Sequence, residues 1–374
     1  MYKIAGRGSI TMKMIRGIYG ILLCCVLMCS MCFAAAEEHT DAAALAKKYG
    51  LIDLHLHLDG SLSPDSVREL ATMQGIAIPE DDDELLSLLQ VDEDCRDLNE
   101  YLEKFDFTVS LLQTKEALST SVYNLERQLE ELGMLYAEIR FAPQLHTQKG
   151  LTQAEIVEAV IEGMNRCDFR SSLILCCMRG DNNHEENIET VYVAKEYLGK
   201  GVSALDIAGA EALFPTADFE DLFLLAAELG IPYTIHAGEA DGPSSVYEAL
   251  RFGAKRIGHG VRAAEDEALM RRLAEEGVTL EICPTSNLNT AIFEKMEDSP
   301  LLPMLEKGIR VTINSDNMVV SATDVQQELM KVIEAFSLTE EQLWQLAQNA
   351  VDASYADSET KDWLTAELAK RISD

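Results

Sequence analysis

Gly50-Leu51-Ile52-Asp53-Leu54-His55-Leu56-His57 is a short β-rich run that closes on a histidine, and seven further runs of this kind follow it along the chain. They are Leu135–Ala142, Ser172–Met178, Val202–Ala208, Ile231–His236, Arg256–His259, Val278–Cys283 and Ile309–Asn314. Amphipathic stretches separate them, among them Thr152–Arg166, Asp218–Leu229, Ser245–Phe252 and Glu265–Glu276. Strands that alternate with helices make a parallel sheet joined by right-handed crossovers, and eight such units suggest a sheet closed into a barrel. The expected fold is an α/β (β/α)8 TIM barrel. The competing architecture, an open doubly wound sheet, would carry a Gly-x-Gly-x-x-Gly turn after the first strand, and none is there.

One connection breaks this rhythm. Between His57 and Leu135 lie 77 residues, too many for a bare loop, and helical patterns run through them at Pro64–Met73, Asp82–Leu89, Leu98–Leu112 and Lys115–Leu132. An insertion after the first strand of a barrel lies over the mouth where active sites are built. Residues 62–133 therefore read as a helical lid, with the acidic run Glu80–Glu84 as a solvated face. Gln326–Phe336 and the segment from Thr339 onward close the fold with C-terminal helices.

The 374 residues include 31 Lys+Arg against 64 Asp+Glu, with 47% hydrophobic and 25% charged residues. That composition is globular, and it excludes collagen, a coiled coil and general disorder. A formal charge of −33 leaves no wide basic surface, so nucleic-acid polymers and other polyanions are not expected as ligands. Lys3, Arg7, Lys13 and Arg16 precede the apolar run Ile18–Phe33, which ends in Ala34-Ala35-Ala36 and Glu37-Glu38. This is the pattern of a secretory signal peptide over residues 1–36, followed by a single exported domain over 37–374. The run is short for a spanning helix. Cleavage removes four basic and no acidic residues and takes the charge to −37. The alternatives are an uncleaved N-terminal membrane anchor, or a cytoplasmic protein whose true start is Met12 or Met14. Four of the nine cysteines fall in that segment, and the rest, Cys95, Cys167, Cys176, Cys177 and Cys283, read as small buried hydrophobes rather than a disulfide framework.

Histidine placement carries the chemistry. His39 sits in the acidic stub after the apolar run, and His146 and His184 fall in polar loops and read as surface residues. His55 and His57 are two apart on a strand, so both project to one face. His236 ends the fifth expected strand, His259 the sixth, and Asp316 follows the eighth in Asn314-Ser315-Asp316. All five lie at the C-terminal rim of expected barrel strands, where catalytic groups gather. Nitrogen ligands with one carboxylate and no thiolate suit a borderline divalent ion with an open position, zinc above all. The fourth strand ends Asp206-Ile207-Ala208-Gly209 with no lysine to bridge two ions, so one metal is expected per chain. Glu239, in Ala237-Gly238-Glu239 directly after His236, is placed to pass a proton to whatever the metal site holds.

Several segments together resemble the adenosine deaminase family: Leu54 to Ser61, Asp206 to Gly209, His236 to Glu239, Arg256 to Gly260 and Val311 to Asp316, with Phe105-Asp106-Phe107 and Tyr136 to Arg140 looking like its lid and second strand. They cover about residues 50 to 345 in order and spacing. The resemblance implies one zinc held by His55, His57, His236 and Asp316, with an activated water completing the shell. It implies Glu239 as the donor that protonates purine N1, and His259 as the group that orients and deprotonates the water. Substrate contacts fall to His57, Asp59 for ribose hydroxyls, Gly209 for a backbone donor to N3, and position 317 for N7. The implied reaction is hydrolysis of adenosine and 2′-deoxyadenosine to inosine and deoxyinosine with release of ammonia. The family pattern has two consecutive aspartates after the eighth strand, whereas Asp316 here is followed by Asn317. Two other readings stand beside this one. A sibling deaminase would act on adenine or a modified nucleoside, though such relatives typically carry Glu where Asp59 stands. An idle nucleoside-binding module would not need every ligand and Glu239.

Overall fold

The structure is a computed structural model that describes residues 42–92 and 94–373. The chain divides into two units, Met1–Leu45 and Ala46–Asp374. Of the first, only residues 42–45 are described, and they are helical. The expected signal segment and His39 lie outside the described residues. Among those described, no helix is long and apolar enough to cross a membrane.

The eight expected strands are present: β1 Ile52–His57, β2 Tyr136–Phe141, β3 Ser171–Met178, β4 Val202–Ala208, β5 His236–Ala237, β6 Arg256–His259, β7 Thr279–Ile282 and β8 Arg310–Ile313. They pair in parallel as β1-β2-β3-β4 and β5-β6-β7-β8. Bridges from Leu205 to Tyr233 and from Leu56 to Asp316 join the two halves, so the sheet closes into the expected barrel. The fifth strand is shorter than Ile231–His236. Pro232 has no N–H to donate, and the Asp206 side chain takes the place of ladder acceptors by receiving the backbone N–H of His236 at 3.2 Å.

Between β1 and β2 run five helices: α1 Pro64–Gln74, α2 Asp82–Leu89, α3 Leu98–Leu102, α4 Phe105–Leu111 and α5 Lys115–Glu131. Ser63, Asp81, Asp97 and Thr114 cap four of them with side-chain oxygens. The expected helix Leu98–Leu112 is two, because Glu103 and Lys104 donate to Glu100 and Tyr101, three residues back, tightening the turn. Tyr101 and Phe105 then lie 6.2 Å apart between ring centres. The acidic residues at 80–84 are all exposed, and Asp81 serves as the cap of α2.

Helices follow β2 to β8, Gln153–Met164 being the one after β2, and Val325–Phe336, Glu340–Ala353 and Ser358–Ser373 come last. The sequence reading did not name the short helices Pro284–Asn289 and Leu301–Glu306 or the longer His184–Tyr197; the last has a physical reason. Its inner side carries Asn187 and Thr190 as well as Val191 and Ala194, so apolar periodicity is weak. Asn187 instead bonds the main chain of Met178 at the end of β3. His184 begins that helix and is exposed, as expected. His146 is not a surface residue: it is buried, 5.8 Å from the Phe141 ring, at the end of the turn Pro143–His146. Its polar neighbours misled because they bond inward, Gln144 to Asn187 and the Gln148 N–H to Gln113. Cys176, Cys177 and Cys283 are buried, Cys95 and Cys167 half-buried, and all five are free thiols.

Candidate active site

Strand alternation sends Asp53, His55 and His57 of β1 into the barrel while Ile52, Leu54 and Leu56 face the helices. At the rim, one ligand atom from each of His55, His57, His236 and Asp316 lies within 4.8 Å of the others. The Nε2 atoms of His55 and His57 each stand 3.4 Å from Asp316 Oδ1. Gly258 on β6 leaves room for the His55 and His236 rings, since a Cβ there would sit 3.1 Å from His55 Cε1 and 3.2 Å from His236 Cα. Asp316 and His259 hold left-handed φ angles of 60° and 58°, a conformation that costs about 1–3 kcal/mol for a side chain of this kind and clusters at functional sites. The four groups His55, His57, His236 and Asp316 could hold a metal ion. His55 Nε2 is buried with no hydrogen-bond partner, as a nitrogen reserved for an ion should be.

The other ring nitrogens are anchored. His55 Nδ1 is 2.9 Å from Glu281 Oε2, a bond that fixes its tautomer and turns Nε2 toward the ligand cluster, and His236 Nδ1 stands 2.8 Å from Asp206 Oδ2. Below them lies a buried ionic floor. Arg140 donates to Asp206 at 2.6 Å, to Glu281 at 2.8 Å and to the Leu54 carbonyl at 2.6 Å. Arg256 donates to Glu281 at 2.7 Å and also binds Glu138. Burial and Arg140 depress the His55 imidazole, but the nearby Asp316 and Glu281 carboxylates outweigh them and raise it. Burial lowers His57, His236 and His259, the last to about 3, leaving neutral rings suited to metal binding or proton transfer.

Glu239 and His259 face the same space. Glu239 is 4% exposed, and burial, Asp316 and Glu211 push its carboxyl well above the usual range, which favours the protonated form. His259 Nε2 stands 3.7 Å from Glu239 Oε1 and 4.0 Å from Asp316 Oδ2. Its Nδ1 is 3.1 Å from Asn287 Nδ2. A cavity of about 380 Å³ opens onto these groups, within the range of small-molecule sites. Asp59, Gly209 and Asn317 line it together with His57, and Tyr101 and Phe105 of the lid cover it. Burial raises Asp59 to about 6, and Asp59 Oδ1 and Asn317 Oδ1 both lack partners. The segment inserted after β1 is tied to the loop after β8: Tyr101 Oη meets Ser321 Oγ at 2.7 Å, and the Val91 N–H meets the Val320 carbonyl at 3.0 Å.

Residues 51–371 match the family model described as adenosine deaminase. The chain belongs to the adenosine deaminase family. It is 47% identical over 333 residues to the adenosine deaminase of Haemophilus ducreyi, an alignment spanning 87% of this chain and 97% of that protein. Among solved structures it resembles adenine deaminase from Arthrobacter aurescens, 28% identical with a TM-score of 0.77, over 87% of this chain and 99% of that one. An amidohydrolase from Burkholderia ambifaria with bound Zn shares the fold at 21% identity and a TM-score of 0.79, over 88% and 92% of the two chains.

In this family member His57, His236, Asp316, Glu239, His259, Asp59, Gly209 and Asn317 all line one cavity, and His55 joins it through the group His55, His57, His236 and Asp316 that could hold a metal ion. What the sequence reading missed is the support. Glu281, Asp206, Arg140 and Arg256 hold the histidines, and Asn287 contacts His259. A signal was there. Charged residues inside strands expected to be buried on both faces must pair with one another, and two arginines and three carboxylates occupy such places.

Proposed function

We propose that the protein is a zinc-dependent hydrolase that converts adenosine and 2′-deoxyadenosine to inosine and deoxyinosine, releasing ammonia. One zinc is held per chain by His55, His57, His236 and Asp316. When bound, it supplies a Lewis acid that makes water a nucleophile at neutral pH. The observation that carries this reading is the buried Glu239 carboxyl, 3.7 Å from His259 Nε2 and facing the same cavity as the ligand set. Glu239 gives its proton to purine N1, which draws electron density from C6 and opens that carbon to attack. His259, a neutral imidazole between Glu239 and Asp316, orients the attacking water and takes its proton. The 6-amino group then leaves as ammonia with the proton that His259 took from water, and the C6 hydroxyl proton returns to Glu239 as the carbonyl forms. The unpartnered Asp59 Oδ1 accepts from ribose hydroxyls, with His57 beside it. Gly209 offers its backbone N–H to N3, and Asn317 reads N7.

The same reading extends to the N-terminus: residues 1–36 direct export and are removed, leaving a single-domain enzyme from Glu37 onward, with residues 62–133 as its lid. The mass of the native protein tests this, and retention of Met1 or a start at Met12 or Met14 would contradict it. The activity is tested by ammonia release from adenosine, 2′-deoxyadenosine, adenine and adenosine monophosphate. The two nucleosides should be turned over far faster than the base or the nucleotide; preference for adenine or the monophosphate would overturn the assignment.

A further inference from the structure

We propose that Glu211 is a positioning residue for Glu239: its buried carboxylate fixes the loop that carries the proton donor and couples that loop to the one carrying Gly209. Four consecutive backbone N–H groups converge on it. Gly238 donates to Oε1 at 2.7 Å, and Glu239, Ala240 and Asp241 donate to Oε2 at 3.0, 2.8 and 2.9 Å. Ser245 Oγ, in the first turn of the helix Pro243–Phe252, also donates to Oε1. This is an anion nest filled by the protein's own side chain, and charge-assisted bonds of this sort are roughly twice as strong as neutral ones.

The loop has few other restraints. Residues 238–241 lie between β5 and that helix, outside both. Their backbone carbonyls at 238 and 240 go to Arg262, through its N–H at 3.0 Å and its Nη1 at 2.8 Å, so the N–H side depends on Glu211 alone. Glu211 is 1% exposed and forms no ion pair with Lys, Arg or His among the described residues. It stands two positions after Gly209, and Gly209 and Glu239 line the same cavity. One carboxylate therefore sets the separation of the two loops that would grip the purine at N3 and at N1. A misplacement of about 1 Å in such a group can cost about 10²-fold in rate.

Glu211→Gln keeps the shape but has a single oxygen. Its amide nitrogen must face either three backbone donors or the Gly238 N–H and the Ser245 hydroxyl. We expect kcat on adenosine to fall about 10²-fold, with KM changed little and zinc content unchanged. The inference rests on Glu239 being the proton donor, so the decisive readout is a double-mutant cycle. If Glu211 acts through Glu239, adding Glu211→Gln to Glu239→Gln costs less than about threefold, because coupled residues are not additive. Equal losses in both backgrounds would remove the positioning role and leave Glu239 in place. A Glu239→Gln variant with parental kcat would instead remove the donor reading itself. Glu211→Asp, which keeps the charge and withdraws it by one methylene, serves if the amide variant does not fold, and should show the same coupled loss. Loss of zinc or of folding in both variants would assign Glu211 to the scaffold and overturn the proposal.

Discussion

Glu281→Gln probes the link between the barrel interior and the metal centre. Glu281 is fully buried and serves four donors: His55 Nδ1 at 2.9 Å and Arg140 Nη2 at 2.8 Å on Oε2, and Arg256 Nε and Thr234 Oγ1, each at 2.7 Å, on Oε1. Burial opposes its charge, but Arg256 and Arg140 hold the carboxyl well below the usual range, so it is an anion at any working pH. Glutamine matches its shape and has one acceptor oxygen. Whichever way the amide turns, two donors face an NH2 group, and Arg140 and Arg256 each lose a counter-charge. Breaking a buried ion pair on one side costs about 3–5 kcal/mol. Loosening the partner of a metal-binding histidine costs about 10–100-fold in metal affinity, or about 1.4–2.7 kcal/mol.

The assay is competition for zinc with a chelator of known affinity, alongside urea unfolding of the zinc-loaded protein. The variant should release zinc at lower chelator concentration by that factor and unfold at lower urea. Residual kcat per bound zinc should stay close to the parent, because Glu281 touches neither Glu239 nor His259. Zinc affinity within about twofold of the parent, together with an unchanged unfolding midpoint, would refute the claim that the ionic floor orients the ligands.

Three further outcomes follow from the same structure. Glu239→Gln should bind adenosine yet lose about 10²–10⁴-fold in kcat, the usual worth of a general acid; steady-state kinetics within about threefold of the parent would exclude Glu239 as donor. Asn317 presents an amide whose N–H groups always donate, so 7-deaza-adenosine should be a poorer substrate by about 1–3 kcal/mol, and equal kcat/KM for the two nucleosides would place the Asn317 side chain elsewhere. Burial lowers the His146 imidazole to about 4 from an ordinary 6.5. The unfolded chain therefore takes up a proton first, and stability is complete above about pH 6.5 and falls as pH drops toward 4, by about 3 kcal/mol in total. His146→Phe should flatten that acid limb in unfolding measured across pH 4 to 7, and an unchanged limb would mean that other groups control it.

The barrel and the reactive residues were legible because both depend on position along the strands. A histidine at a strand end points to the mouth whatever the helices do, so His55, His57, His236 and Asp316 could be brought together before any coordinates. Glu281 and Glu211 were not legible in that way. Glu281 sits within Thr279-Leu280-Glu281-Ile282, and its partners come from β1, β2 and β6 and from just before β5, so its role depends on which side chains meet across the closed interior. Glu211 lies in a loop after β4, and only the fold shows that its oxygens meet four N–H groups from the next loop. His146 was misplaced for a related reason: polar neighbours signal solvent only when their hydrogen bonds go outward, and here they go inward.

The central claim is that one zinc on His55, His57, His236 and Asp316 supports adenosine hydrolysis. Zinc content and adenosine turnover, followed together in one preparation during stepwise chelation and zinc restoration, test it most directly. Activity should fall in proportion to zinc, vanish when none remains, and return in full at one equivalent per chain. Activity that survives exhaustive chelation, or that requires two equivalents, would contradict it.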